Sequence, residues 1–350
     1  MNRPMWMAVA FALALAVAGT TAHAAQWMRG ERGAEIQIFI DNDKWAGSDR
    51  YYTNGFKVGF GVDATNMPGL DLSGVPMTAL GRALGCTPFS EAATNGGVFV
   101  GQNMYTPRDI SIAGAQRDDR PWAAWLYLGL VFQARRTCGD RSAALDTIEL
   151  DVGVVGPAAQ GEEIQNWWHG LVNVKEAQGW ANQIPNEPAF LLTYLHKQLW
   201  KHNENVHFIP HVGAAVGTVM TFVRAGGLVR VGRNMTGFGP DRIEPGAAIL
   251  QNFRTGSDPC AAWTFCEGYV FAGAEGRAVA YNIFLDGTVF RGSPDVKRTP
   301  LVYDLSVGFS FRFWRARVSA TRITRSQEFT TPVRGGGKQT FHSFNIGFEF

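Results

Sequence analysis

The chain has 350 residues, of which 18% are charged and 12% aromatic, and its formal net charge is only +2. Basic residues are scattered rather than clustered, so nothing in the composition indicates a nucleic-acid partner. The 41 glycines and the many aromatic residues favour a closed antiparallel sheet with tight turns and an aromatic outer surface.

Residues 1–24 have the three parts of an export signal. Arg3 is positively charged, residues 5–17 are apolar, and Ala22-His23-Ala24 resembles a signal-peptidase site. Cleavage is expected after Ala24, or alternatively after Ala25, which leaves residues 25–350 to form a single exported domain. Beyond the signal, no apolar run reaches the roughly 20 residues that a transmembrane helix needs.

The segment from Asp41 to Gly55 gathers carboxylates, an amide and a hydroxyl between two segments of alternating polarity. Ile36, Ile38 and Ile40 share one face before it, with Glu35 and Gln37 on the other, and the alternation resumes at Phe56 after it. A period of two predicts two strands joined by a polar loop. Carboxylates on a loop above a sheet are candidates for metal binding or catalysis. An acid-rich hairpin loop without further function is the alternative.

The alternation continues to the end of the chain and is clearest in residues 301–313, where odd-numbered positions are apolar and even-numbered ones mostly polar or small. Long strands after an export signal, with Phe350 at the terminus, favour an all-β transmembrane antiparallel barrel of the outer membrane. A soluble sandwich also alternates and is the alternative. Twelve strands are predicted, near residues 34–40, 54–63, 97–104, 122–134, 146–155, 189–201, 206–220, 224–233, 267–284, 301–313, 315–325 and 341–350.

An even number of strands places both chain ends in the periplasm. Loops 41–53, 105–121, 156–188, 221–223, 285–300 and 326–340 then face outward, and segments 64–96, 135–145 and 234–266 are periplasmic. Cys86 and Cys138 lie on neighbouring periplasmic connections, and Cys260 and Cys266 share another. We therefore expect the disulfides Cys86–Cys138 and Cys260–Cys266.

The third outward loop carries the one convincing helix signal of the sequence. Pro157 suits a first helical position, and Glu162 and Glu163 suit the N-terminal end of a helix. Gln165 and His169 are four residues apart and share a face, so His169 could take a proton from water while Gln165 orients it or binds substrate. Alternatively, Trp167 and Trp168 pack on the barrel and His169 is incidental.

Other chemistry-bearing patterns are weaker. His202, His207 and His211 lie near one strand, and a polar lumen explains them better than a metal site does. The sequence has no Gly-x-Ser-x-Gly elbow, no His-Glu-x-x-His and no phosphate-binding Gly-Lys-Ser/Thr motif.

Collinear short motifs from about Glu35 to Phe350 make the chain resemble the LpxR-type lipid A 3'-O-deacylase family. Each motif is weak alone, and their shared order and spacing carry the resemblance. They are Asn42-Asp43, Asp49-Arg50-Tyr51-Tyr52-Thr53-Asn54-Gly55, Gln102-Asn103-Met104-Tyr105-Thr106-Pro107, Asp119-Arg120-Pro121-Trp122-Ala123-Ala124-Trp125, Gly153-Val154-Val155-Gly156-Pro157, Gln165-Asn166 through His169, Gly179-Trp180-Ala181-Asn182-Gln183-Ile184 and Asn186-Glu187-Pro188.

The resemblance implies a twelve-stranded outer-membrane barrel whose active site faces the cell exterior, between the wall and a loop helix. It implies calcium-dependent removal of the 3'-acyloxyacyl group of lipid A in the outer leaflet, with water activated by His and the oxyanion stabilised by calcium. Carried over by position, His169 is the base with Gln165 beside it, and Asn42, Asp43 and Thr53 are further functional positions. Lipopolysaccharide, the surrounding lipids and, through Phe350, the barrel-assembly machinery are the implied partners.

The chain departs from the family pattern at the metal site. A metal-associated Glu is expected six positions after the His, where this chain has Lys175, so Asp43 and Glu176 are the metal ligands we expect. Basic residues of the second outward loop are also poorly matched, with Arg108, Arg117 and Arg120 as substitutes. An esterase or phospholipase acting on another lipid, or a non-catalytic pore or structural barrel, are the alternatives to a lipid A deacylase.

Overall fold

The computed structural model describes residues 33–47, 50–63, 85–88, 92–171, 173, 175–244, 246, 265–331 and 336–349. The expected export signal and Phe350 lie outside these ranges. Among the described residues, no helix has the length and apolar character to cross a membrane.

The described residues form twelve long antiparallel strands that close into a barrel, which confirms the predicted fold class. Each strand pairs with its sequence neighbours, and the first pairs with the last through Ile36 opposite Phe348. The strands are β1 (Ala34–Asn42), β2 (Tyr51–Asp63), β3 (Ala93–Thr106), β4 (Ala123–Thr137), β5 (Ser142–Val155), β6 (Glu187–Asn203), β7 (Val206–Gly217), β8 (Met220–Arg233), β9 (Phe265–Asn282), β10 (Leu301–Phe313), β11 (Ala316–Arg325) and β12 (Gln339–Glu349).

Each of the twelve predicted strands is present, with ends shifted by a few residues. The outward connections also hold short elements: the helices α1 (Gly161–Leu171) and α2 (Ile283–Asp286), 3-10 turns such as Pro157–Ala159, and a two-stranded sheet that pairs Lys297–Arg298 with Phe329–Thr330. Only α1 is long enough to present distinct faces.

Side-chain exposure shows which face of the wall contacts lipid. On β10, Leu301 is 71% exposed and Leu305 51%, whereas Asp304 between them is 1% exposed. The apolar face is therefore outside and the polar face inside, as expected for a barrel whose outer surface meets hydrocarbon.

Ion pairs fill the interior. Lys57 Nζ lies 2.6 Å from Glu149 Oε1, and both side chains are fully buried. Farther round the wall, Arg325 Nε lies 2.9 Å from Asp304 Oδ1. Charges buried in this way remain stable only when they are paired and hydrogen-bonded, so the wall strands are held in register partly by electrostatic contacts across the lumen.

The connection after β8 folds back into the lumen, which the sequence did not predict. Ile243 joins a buried cluster with Phe39, Phe99 and Val131 of the inner wall. Beside it, Arg242 Nη2 donates to Asp304 Oδ2 at 2.7 Å. We call residues 234–244 and 246 the inner segment. Segment 234–266 was expected to be wholly periplasmic, and its first part instead occupies the barrel interior.

The disulfide Cys86–Cys138 is present as predicted. The second predicted pair includes Cys260, which lies outside the described residues, so Cys260–Cys266 stays a prediction. His207 and His211 contact lumenal charges, with His211 Nε2 lying 2.9 Å from Glu275 Oε2. These contacts agree with a polar lumen.

Candidate active site on the outer wall

Helix α1 lies against the outside of the barrel. Met104 on β3 and Ala124 on β4 are register partners, and both are buried although they share the outward side of exposed Val98 and Leu128. They are covered because they join a cluster with residues of the third outward loop, namely Ala159, Ala177 and Trp180, together with Trp122. A polar contact reinforces this packing, since Gln102 Nε2 donates to the Ala159 carbonyl at 2.6 Å.

Glycine allows this close approach. A Cβ added at Gly161, the first residue of α1, would lie 2.5 Å from Trp180 Cη2 and 2.6 Å from Ala124 Cβ. Real carbon–carbon contacts are about 3.5–4.0 Å, so only glycine fits here. Gly156, which turns the chain out of β5, has φ +90°, a conformation that favours glycine.

Gln165 and His169 face the wall and are 3% and 4% exposed, whereas Trp167 and Trp168 are 46% and 41% exposed. The exposed side chains of Trp167 and Trp168 do not fit the alternative in which they pack on the barrel, whereas a functional role of His169 stays a prediction. Trp180 Nε1 donates to Gln165 Oε1 at 2.8 Å, which fixes the orientation of the amide.

The His169 ring is oriented by the backbone. Its Nδ1 lies 2.7 Å from the carbonyl oxygen of Lys175, an acceptor only, so Nδ1 carries the proton and donates it. In this tautomer Nε2 carries the lone pair and can act as a base. The carbonyl of Lys175 therefore determines which nitrogen of the His169 ring carries the proton.

Hydrogen bonds also hold the predicted side chains at the two ends of the first outward loop. Asp43 is fully buried, and its Oδ2 accepts from the Arg50 amide at 2.7 Å. Asn42 Oδ1 accepts from the Lys44 amide at 2.8 Å. Thr53 Oγ1 lies 2.6 Å from Thr106 Oγ1 on β3. These contacts hold the carboxylate, the amide and the hydroxyl at the outer end of the wall.

Strand register places the first outward loop and the start of α1 on one stretch of the barrel rim. Asn42 is opposite Asn54, Asn54 is opposite Met104, and Met104 is opposite Ala124, against which α1 begins. Neighbouring strands are about 4.8 Å apart, so Asn42 and Ala124 are roughly 14 Å apart along the rim. Asn42 and Thr53 lie on this stretch, and α1, which carries Gln165 and His169, begins beside it. The catalytic roles of Asn42, Asp43, Thr53, Gln165 and His169 stay predictions.

The two expected metal ligands differ in their exposure. Asp43 is a buried carboxylate at the rim, whereas Glu176 is exposed. Within the described part of the chain, no group of three or more His, Cys, Asp or Glu is placed to hold a metal ion. Carboxylate, amide and carbonyl oxygens are the ligands that calcium takes, so the donors suit calcium in kind, and its binding stays a prediction.

Three contributors to the site were not identified from the sequence. Trp180 orients Gln165, Thr106 pairs with Thr53, and the Lys175 carbonyl orients His169. Trp180 and Thr106 stand within motifs that carried the resemblance, so a signal was present. A backbone carbonyl leaves no signal in the residue type.

A closed barrel with an apolar exterior, a charged interior and a polar cluster at one rim defines an outer-membrane β-barrel protein. The sequence model of the outer membrane protein LpxR family matches residues 6–350. The chain belongs to this family, as the resemblance predicted. Membership agrees with an outer-membrane lipid A deacylase, which is an ester hydrolase.

Solved structures are similar to the chain, and the LpxR structure among them supports the fold. LpxR from Salmonella typhimurium is 21% identical, with a TM-score of 0.66 over 90% of this chain and 100% of that one. The β-domain of the Bordetella autotransporter BrkA is 9% identical, with a TM-score of 0.43 over 91% and 98% of the two chains. The NanC porin is 4% identical, with a TM-score of 0.40 over 91% and 100%. No curated protein sequence matches the chain.

Proposed function

We propose that the protein hydrolyses the ester of the 3'-linked acyloxyacyl group of lipid A in the outer leaflet, with water activated by His169. The observation that carries this proposal is the buried position of His169 on the outside of the barrel, where the Lys175 carbonyl holds Nδ1 and so leaves the basic lone pair on Nε2. A base on the lipid side of the wall suits a substrate that is itself a membrane lipid.

In the proposed reaction, Nε2 of His169 takes a proton from water while the water oxygen bonds to the ester carbonyl carbon. Negative charge then develops on the former carbonyl oxygen. When the tetrahedral intermediate breaks down, the sugar-linked oxygen leaves, and the imidazolium returns the proton to it. The products are a free acyloxyacyl acid and a 3'-hydroxyl group.

Gln165, Asn42 and Thr53 are proposed to position the substrate. Gln165 Oε1 accepts from Trp180 Nε1, and this contact fixes the orientation of the amide. The Thr53 and Asn42 side chains are held by Thr106 and the Lys44 amide. Groups that are already fixed lose little freedom when substrate binds, which favours catalysis.

Calcium, held by Asp43 and Glu176, is the part of the proposal with the least support, and no step above passes through it. A bound calcium ion would stabilise the charge on the oxyanion. The effect of a chelator on the activity therefore tests directly whether calcium is required.

The test is mass spectrometry of lipid A and phospholipids from cells that express the wild type, His169→Ala or the control His202→Ala, whose side chain is exposed at the other end of the barrel. We expect lipid A that has lost one acyloxyacyl group with the wild type and the control, and intact lipid A with His169→Ala. Unchanged lipid A in wild-type cells would refute the proposal. Lysophospholipid as the only product would instead assign the activity to phospholipids. Loss of product with a chelator would support calcium.

A pore is the less supported alternative. The inner segment and its ion pairs, such as Lys197 Nζ with Asp241 Oδ2 at 3.2 Å, occupy the lumen that a pore would need open.

A further inference from the structure

Helix α1 has three distinct faces. Successive residues of an α-helix are about 100° apart, so Gln165 and His169 face the wall while two flanks remain. One flank is polar and the other is apolar and partly exposed, with Leu171 62% exposed. The polar flank comprises Glu162, Glu163 and Asn166, and the apolar flank comprises Ile164, Trp167, Trp168 and Leu171.

The apolar flank is continuous with the lipid-facing wall. Ile164 of the helix and Leu126 of β4 pack against the same buried cluster. Leu128 and Leu130 follow Leu126 on the outward side of β4 and are 52% and 60% exposed. Two residues of a strand span about 7 Å, so apolar surface extends without interruption from the helix into the hydrocarbon region.

Tryptophan is suited to this position. Its indole is apolar over most of its surface, and its N–H can meet water or head groups, so tryptophan is enriched at membrane interfaces. An exposed apolar patch at such a boundary is expected to contact lipid rather than water. Trp168 directly precedes His169, and it therefore lies where the lipid-facing flank meets the buried catalytic face.

We propose that Trp168 and Leu171 form the binding surface, which we call the seat, for the acyl chain whose ester His169 hydrolyses. We also propose that Trp168 sets the preference for chain length. This inference rests on the proposed function. An acyl chain rising from the outer leaflet passes Leu171, crosses the indole of Trp168 and presents its ester carbon at His169. Leu171 and Trp168 are three residues apart and hence neighbours on the helix surface, so they form one strip.

Trp167 provides a matched control. It is about as exposed as Trp168, at 46% against 41%, but on the helix it points about 160° away from His169, against about 100° for Trp168. An effect of general membrane attachment would appear in both variants, whereas a specific seat involves Trp168.

The experiment measures kcat/KM of the wild type, Trp168→Ala and Trp167→Ala in lipid vesicles, on lipid A with long or short acyl groups and on a soluble short-chain ester. We expect Trp168→Ala to lose about tenfold on the long-chain substrate through a higher KM. The soluble ester should be hydrolysed as before, and Trp167→Ala should change less than twofold. Equal losses on all substrates, or equal losses in both variants, would overturn the proposed seat.

A second measurement separates this inference from the activity itself. If the wild type hydrolyses no ester, the proposed function fails, and fluorescence quenching by lipids brominated in their acyl chains then tests the seat alone. We expect Trp168→Phe to remove more of the quenched emission than Leu128→Ala, which leaves every indole in place. Emission quenched equally in the wild type and Trp168→Phe would show that no acyl chain lies on Trp168.

Discussion

The two glycines of α1 provide a matched test of how closely the helix must approach the wall. At Gly161 an added Cβ would lie 2.5 Å from Trp180 Cη2 and 2.6 Å from Ala124 Cβ, whereas at Gly170 it would meet nothing within 4 Å. The same change, glycine to alanine, is therefore a collision at one position and harmless at the other.

The expected displacement of the helix, and from it the loss in rate, follows from ordinary contact distances. Carbon atoms pack at about 3.5–4.0 Å, so Gly161→Ala should move the start of the helix outward by roughly 1 Å. A displacement of this size at a catalytic group can cost about 10²-fold in rate, equivalent to roughly 2.7 kcal/mol in the activation free energy. Gly170→Ala should leave the rate unchanged and favour the helix by about 0.5–1 kcal/mol, because alanine loses less backbone entropy.

The assay is the initial rate of deacylation by each purified variant in lipid vesicles, with circular dichroism to confirm that the barrel has folded. The double variant Gly161→Ala, Ala124→Gly removes one of the two collisions and should recover part of the rate. Full activity of Gly161→Ala, or an equal loss in Gly170→Ala, would show that the helix–wall distance does not control the reaction.

Two predictions concern the lumen. Lys57→Met leaves Glu149 buried without its partner and should lower the free energy of unfolding by about 3–5 kcal/mol; urea unfolding followed by tryptophan emission should show this, with much of the loss restored in Lys57→Met, Glu149→Gln. In planar bilayers the wild type should show no porin-like conductance, and deletion of residues 236–244 should create one. A conducting wild type would show that the inner segment does not close the lumen.

Much of the fold could be predicted because each strand carries its own signal. The alternation of Leu301, Tyr303 and Leu305 with smaller or polar residues reflects which side meets hydrocarbon, and that is decided residue by residue. The pairing Cys86–Cys138 followed from the same topology. No such local pattern marks residues 234–244, whose glycine and proline suggest a loop. The position of this segment depends on charges on distant strands, such as Asp304 for Arg242.

The sequence indicated which residues belong to the candidate site, but it did not indicate how the helix that carries them is oriented. The spacing of Gln165 and His169 placed them on one helix face, but whether that face met the wall depended on the partners Trp180 and Met104. By residue type, Trp167 and Trp168 were as suited to packing on the barrel as Gln165 and His169 were. The contact of Gly161 with Ala124 decides this question, and it joins the third outward loop to strand β4.

The charged interior has a consequence for which positions of the sequence can vary during evolution. In most soluble proteins the surface is open to variation while the apolar core is constrained. Here the constraint lies in the ion pairs of the lumen, such as Arg317 with Glu267 at 2.8 Å, and in the few outward positions that α1 covers, such as Ala124. The exposed apolar residues of the outer face can therefore vary while the scaffold that positions His169 is left intact.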